Sequence, residues 1–287
     1  MENNLKDDFQ IDFVGIGAMK AATSWIYECL QEHPELHLAP KDQEQIAFFF
    51  KEDPSQKELE DYKYFFKNSN EEQLKGDYHV GYLTNPQVIS RMKERNPEIK
   101  VIVCLRNPIE RAFSEYRFLK FAKDADWESF EEAIRKQPSI LENGLYYEHL
   151  KKYFDQFPRE NILVLLFDEI RKDPSSFIQK IYAFLEVNDG FVPPSINTKI
   201  NLTNFKLTWV GRVIHKGIIA PLLYYTKWAW KLKRSVLLKK LLGWFSKFYS
   251  SSKKEKSQEA ERYLTEYYQE DISNLENLIN KELSHWK

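Results

Sequence analysis

Glycine is scarce in this chain, with nine in 287 residues. Two close glycines therefore mark a place where the backbone has a special task. Cysteine is scarcer still. The two present, Cys29 and Cys104, cannot form a disulfide framework, and each lies in an apolar periodic segment, so both are expected as buried free thiols. No uncharged apolar run reaches the roughly 18 residues of a spanning helix. The opening MENNLKDDFQ is polar and acidic, without the apolar stretch of a signal peptide, so a cytoplasmic location is the expectation. Neither charge dominates: 42 Lys and Arg against 43 Asp and Glu leave a formal net charge of -1. That removes any whole-chain electrostatic argument for nucleic-acid binding. No His, Cys, Asp or Glu cluster has metal-ligand spacing, so no metal is expected.

What the chain does have is apolar content and rhythm. Apolar residues make up 43%, enough for a real core. Ile11 to Gly17 reads as a short buried strand. Thr23 to Glu32 reads as a helix capped by Thr23 or Ser24 and ended by His33-Pro34. Residues 51–76 read as helix and loop, and Pro86 to Arg95 as a helix. Lys100 to Leu105 (KVIVCL) is a continuous apolar run of the buried parallel kind. A helix follows from Pro108 to about Phe121, then amphipathic helices over Trp127 to Arg135 and Leu145 to Phe157. Ile162 to Phe167 is a third strand and Pro174 to Leu185 a further helix. Strands alternating with helices predict an α/β fold, a doubly wound, mostly parallel sheet flanked by helices. The C-terminal part is expected to be helical. No internal repeat is visible, and residues 1–287 are read as one domain.

Two segments carry the chemistry. In the first, strand one runs through Gly15-Ile16-Gly17-Ala18-Met19-Lys20-Ala21-Ala22-Thr23-Ser24 into a helix. Small residues let the backbone close on an anion, and a helix start supplies free N–H groups and a positive dipole end. Lys20 adds a charge, and Thr23 and Ser24 add hydroxyls. This is not a Walker A loop, because Lys20 stands three residues before Thr23. It is not a dinucleotide fingerprint either, because Lys20 stands where the third Gly belongs. By itself the segment also reads as an ordinary tight turn with a solvated Lys.

The second segment is KVIVCLRNPIERAFSEYRF. Arg106 sits at the carboxyl end of the central strand, where open α/β sheets bind ligands. Its planar fork suits a phosphate. Ser114, two helical turns after Pro108, could face the same place, and Arg111 and Arg117 are further basic candidates. By themselves these residues also read as a strand-end charge and a helix hydroxyl.

Together the two segments resemble the sulfotransferase superfamily that uses 3′-phosphoadenosine-5′-phosphosulfate (PAPS) as donor. GAMKAATSWIYECLQEHP is similar to its 5′-phosphosulfate loop and VIVCLRNPIERAFSEYRF to its 3′-phosphate segment. GLYYEHLKKYFDQFPRENILVLLFDEIRKDP resembles the bacterial and Golgi-type carbohydrate branch. The resemblance covers roughly residues 11–215. It implies that Lys20 contacts the bridging oxygen and 5′-phosphosulfate. It implies that Thr23, Ser24 and the N–H groups of Ala21 and Ala22 hold the 5′-phosphate. Arg106 and Ser114 would bind the 3′-phosphate. The product would be 3′,5′-phosphoadenosine (PAP), with no metal needed. Ala22 departs from the family's usual Gly.

The catalytic base is open between two residues. The Golgi-like branch carries a Glu just before a Phe-Phe pair, and PKDQEQIAFFF puts Glu44 or Gln45 near that place, of which only Glu44 can take a proton. His79, in GDYHVGYL, is the second candidate, comparable to the His base of the cytosolic branch. Both also read as ordinary loop residues. The acceptor implied is a sugar, lipid-linked or small-molecule hydroxyl, or an amine. Residues 209–249 mix Lys and Arg with Trp, Leu and Tyr. They suit a membrane interface, and equally helices packed on the sheet. The basic stretch Lys199 to Lys206 is placed as a loop closing over the nucleotide. Two rival functions stay open: a nucleotide-binding transferase of the kinase kind, and a non-catalytic membrane- or protein-binding module on the same fold.

Overall fold

A computed structural model describes residues 9–40, 48–52, 54–122, 125–198, 205–207, 249–251 and 257–287. Glu44, the stretch from Lys199 to Asn204 and nearly all of residues 209–249 lie outside them.

Five strands form one parallel sheet: β1 (Phe13–Gly17), β2 (Leu36–Leu38), β3 (Leu74–Tyr78), β4 (Lys100–Leu105) and β5 (Ile162–Leu166), in the order β2-β3-β1-β4-β5. β1 is central and buried along its whole length, as a strand with both faces covered must be. Register pairs Val14 with Asp77 on one side and with Val101 on the other, and Val103 with Val164 further out. After β3 the chain passes β1 to enter β4 on its far side. The strand order reverses there, which opens a crevice at the carboxyl ends. Between Gly15 and Gly17 the β1–β4 register slips, so the strand is already irregular where the anion loop begins.

The helices between and after the strands are α1 (Thr23–Gln31), α2 (Gln56–Tyr64), α3 (Pro86–Arg95), α4 (Pro108–Ala122), α5 (Phe130–Lys136), α6 (Ser139–Glu142), α7 (Tyr146–Phe154), α8 (Phe167–Lys172), α9 (Pro174–Leu185) and α10 (Gln258–Ile279). Their ends follow local chemistry. Asn85 caps α3 by accepting from Gln87 N–H at 3.0 Å, and Pro86 takes the first turn, where no N–H is needed. Asp173 and Pro174 start α9 in the same way. The parallel α/β sheet is as expected, and both cysteines are buried and free.

Two expectations are corrected. The cap of α1 is Ala22, in the left-handed region at φ 61°, with no side-chain cap bond. Thr23 is the first helical residue. The second correction is a pair of strands that residues 33–80 do not announce. β2 is three residues long. β3 reads LKGDY, with Gly and Asp where strand formers are usual. Tertiary contacts override propensity there. A Cβ on Gly76 would stand 2.2 Å from the Phe13 ring, so only Gly admits that ring. Asp77 is satisfied by two tyrosine hydroxyls. A further strand pair, β6 (Phe205–Leu207) and β7 (Tyr249–Ser251), is antiparallel.

α10 ties the last residues to α6 and α7. Asp271 accepts from the Tyr147 N–H at the start of α7, and Tyr268 donates to the Leu141 carbonyl at 2.8 Å. Among the described residues no helix is long and apolar enough to cross a membrane.

Candidate active site

β1 ends at Gly17, whose φ of 139° is a conformation that favours glycine. The next turn holds two residues in the left-handed region, Lys20 at φ 70° and Ala22 at φ 61°. Ala18 N–H donates to the Cys104 carbonyl at 2.8 Å, which pins the loop to the neighbouring strand. α1 then starts without a side-chain cap, so its first N–H groups and positive dipole end face the loop. This is the backbone of an anion site.

Arg106 follows β4 directly. Its Nη1 donates to the Lys20 carbonyl at 3.3 Å, so the two sequence segments meet in space. Its own carbonyl accepts from the Tyr146 hydroxyl at 2.9 Å, which fixes the backbone that carries the guanidinium. The Lys20 Nζ lies 4.2 Å from the centre of the Phe118 ring. Burial pushes the Lys20 amine down to about 8. Glu115 acts in the opposite sense, while Arg106 and Arg117 add to the depression. A cation held this way gains most when a dianion arrives.

α4 presents one stripe to this edge. Glu110 reaches back to Arg106, with Oε2 accepting from Nη2 at 2.8 Å. Phe118 meets Lys20, two turns further on. Ser114 lies between them at four-residue spacing, buried at 1% exposure, so it belongs to the same stripe. Arg111 does not. It is fully buried, paired with Glu115 and the Ile140 carbonyl, and is a core residue rather than an anion ligand. Glu110, Phe118 and Tyr146 escaped the sequence reading. For Glu110 and Phe118 the signal was four-residue spacing from Ser114.

The other side of the crevice is aromatic. His79 follows β3, and its N–H donates to the Gly15 carbonyl at 2.9 Å, beside the anion loop. Its Nδ1 accepts from Gly81 N–H at 3.1 Å, which leaves the proton of a neutral ring on Nε2. The Phe50 and Tyr82 rings lie 5.0 and 5.1 Å from it. Below them Asp77 Oδ2 accepts from Tyr82 at 2.7 Å and Tyr62 at 3.1 Å. Burial pushes the Asp77 carboxyl up to about 6, against the pull of those two hydroxyls. The chain leaves the described residues at Pro40, beside β3, and re-enters at Phe48, next to this cluster. Glu44 lies in between. No group of three potential metal ligands occurs among the described residues.

Cations and a helix start on one side and a cluster of rings on the other fit an anionic ligand. Comparison with known proteins agrees. The family model of the sulfotransferase domain matches residues 10–212. The chain is similar to heparan sulfate glucosamine 3-O-sulfotransferase 5 of Mus musculus, 24% identical over 63% of this chain and 54% of that one. It is similar to the membrane-associated sulfotransferase kil1 of Dictyostelium discoideum, 30% identical over 50% of this chain and 32% of that one. It thus spans about half or less of these curated relatives. The crystal structure of a sulfotransferase from Alicyclobacillus acidocaldarius shares the fold, with a TM-score of 0.68 at 24% identity over 97% of this chain and 99% of that one. The matched domain contains the whole parallel sheet and the loop that joins Lys20 to Arg106, and on that evidence the chain belongs to the sulfotransferase domain family.

Proposed function

We propose that this chain transfers a sulfuryl group from PAPS to a hydroxyl or amine of an acceptor, a carbohydrate, glycolipid or small-molecule alcohol, and releases PAP. The observation that carries the reading is the contact of Arg106 with the Lys20 carbonyl, which joins two anion-binding segments at one sheet edge. The names of the heparan sulfate relatives support a sugar acceptor.

PAPS, when bound, supplies an activated sulfuryl group whose sulfur–oxygen bond to the 5′-phosphate breaks as a bond to the acceptor forms. Transfer of this kind needs positioning and charge stabilisation rather than covalent help. Lys20 would neutralise the oxygen that leaves with PAP. The start of α1, with the Ala22 N–H and the hydroxyls of Thr23 and Ser24, would hold the 5′-phosphate, and the Ala21 N–H, which donates to the Ala18 carbonyl at 3.2 Å, would join them by turning from that bond. Arg106 and Ser114 would hold the 3′-phosphate. The acceptor proton must go to a base. His79 presents an N–H rather than a free lone pair on Nε2, which suits a hydrogen bond to the acceptor. Glu44 and His79 are the two candidates for that base, and Glu44 is the one that needs no change of tautomer to take the proton.

Thermal unfolding with and without PAP tests the donor site. A ligand bound only by the folded state at 100 times its Kd adds about 2.7 kcal/mol of stability. The wild type should shift upward, Lys20→Ala should shift less, and Glu44→Gln should shift like wild type while losing turnover. A shift with ATP and Mg²⁺ but none with PAP would sink the proposal.

A further inference from the structure

Glu110 occupies an unusual position for an acid. Its Oε2 faces two guanidinium groups, 2.8 Å from Arg106 Nη2 and 3.9 Å from Arg171 Nη2. Both guanidiniums also lie over one ring: the Arg106 and Arg171 Cζ atoms are 4.8 and 5.1 Å from the centre of Phe167. Phe167 is buried and opens α8 directly after β5, so Arg171, one helical turn on, stands at the same carboxyl edge as Arg106. The Arg171 side chain is 59% exposed and that of Glu110 38%, so the group opens to solvent on the Arg171 side.

One carboxylate between two arginines is an anion site filled from within. A single negative charge neutralises two cations incompletely. A phosphate dianion there would neutralise both and offer three acceptor oxygens to two planar forks. We infer that Arg171 is a further ligand for the donor's 3′-phosphate, and that Glu110 holds that phosphate's place between Arg106 and Arg171 until the nucleotide arrives. The inference rests on the sulfotransferase reading. It adds a residue that selects nucleotides carrying a 3′-phosphate over those that lack one.

The test compares PAP with AMP, which differs only by the missing 3′-phosphate. Affinities are measured by calorimetry for the wild type, Arg171→Ala, Arg171→Lys and Glu110→Gln. Arg171→Ala should weaken PAP about tenfold and leave AMP within about twofold, because one charge-assisted contact is lost at a partly exposed place. Arg171→Lys should recover part of the loss. Glu110→Gln should tighten PAP severalfold by removing the competing charge. Equal weakening of PAP and AMP by Arg171→Ala, no change with either, or weaker PAP binding by a folded Glu110→Gln would each overturn the inference. If the wild type binds PAP no better than AMP, the 3′-phosphate reading of this edge fails first, and the role of Arg171 with it.

Discussion

The two sides of the crevice are built on opposite principles. The charged side is made of backbone and fixed charge: a left-handed turn, an uncapped helix start, Lys20 and Arg106. The aromatic side is made of rings on a buried acid: Phe50, His79 and Tyr82 stand over Asp77 and Tyr62. A charged half selects by charge and by where its cations stand. A ring-walled half selects by shape, since aromatic faces are rigid and make few directional bonds. Titration should separate the halves, because Asp77 on one and Lys20 on the other are displaced in opposite directions.

The largest effect is expected at Asp77. Its carboxyl is raised to about 6 by burial, so the folded state holds its proton more tightly than the unfolded chain does. The stability from that proton is complete below the unfolded value near 3.9 and is lost as pH rises through 6. Asp77→Asn keeps an acceptor for both tyrosines and does not titrate. From pH 4 to pH 7 the wild type should lose about 2 kcal/mol relative to the variant, read from denaturant unfolding. A pH-independent difference would mean that Asp77 is not carrying a buried charge.

On the charged side the sign reverses. Lys20 is depressed to about 8, so the free protein begins to lose this charge above that pH. PAP affinity should hold to about pH 8 and then fall, approaching tenfold per pH unit, because binding must restore the proton. Lys20→Arg stays charged and should flatten that profile. A wild-type profile flat to pH 10 would place the phosphates away from Lys20.

The smallest effect concerns Ala22, held at φ 61°. A non-glycine residue pays about 1–2 kcal/mol for that conformation, and glycine returns part of this as unfolded-state entropy. Ala22→Gly should raise stability by about 0.5 kcal/mol and should not weaken PAP binding. A loss of stability would show that the methyl group is packed to advantage.

The same contrast explains what could be read from the chain. The charged side is written in consecutive residues. Strand, turn and helix are spelled out from Phe13 to Gln31, and again from Lys100 onward, because apolar runs, a helix-starting Pro108 and basic residues follow one another without interruption. Pro86–Arg95 and Pro174–Leu185 were legible for a related reason, each having a cap and a proline at its first turn. The aromatic side is assembled from separate pieces at 48–50, 62 and 77–82, none of which has periodicity of its own. β3 was hidden because Gly76 and Asp77 are tolerated only by what packs on them, Phe13 and the two tyrosines. Ala22 was visible as a departure from the family's glycine. The reason for that glycine, a left-handed cap, became visible only in the fold. Glu44 lies outside the described residues, so its part in the site rests on sequence.

The tie between α10 and the helices α6 and α7 bears on how the molecule is made. Arg106 stands on a backbone fixed by Tyr146. The Tyr146 ring lies 6.3 Å from that of Trp286, and α7 starts on Asp271. During synthesis the phosphate loop and β4 leave the ribosome early, and these supports leave it late. Competence to hold the nucleotide should therefore arrive in a single late step, when residues 258–286 close onto an edge that has been waiting for them.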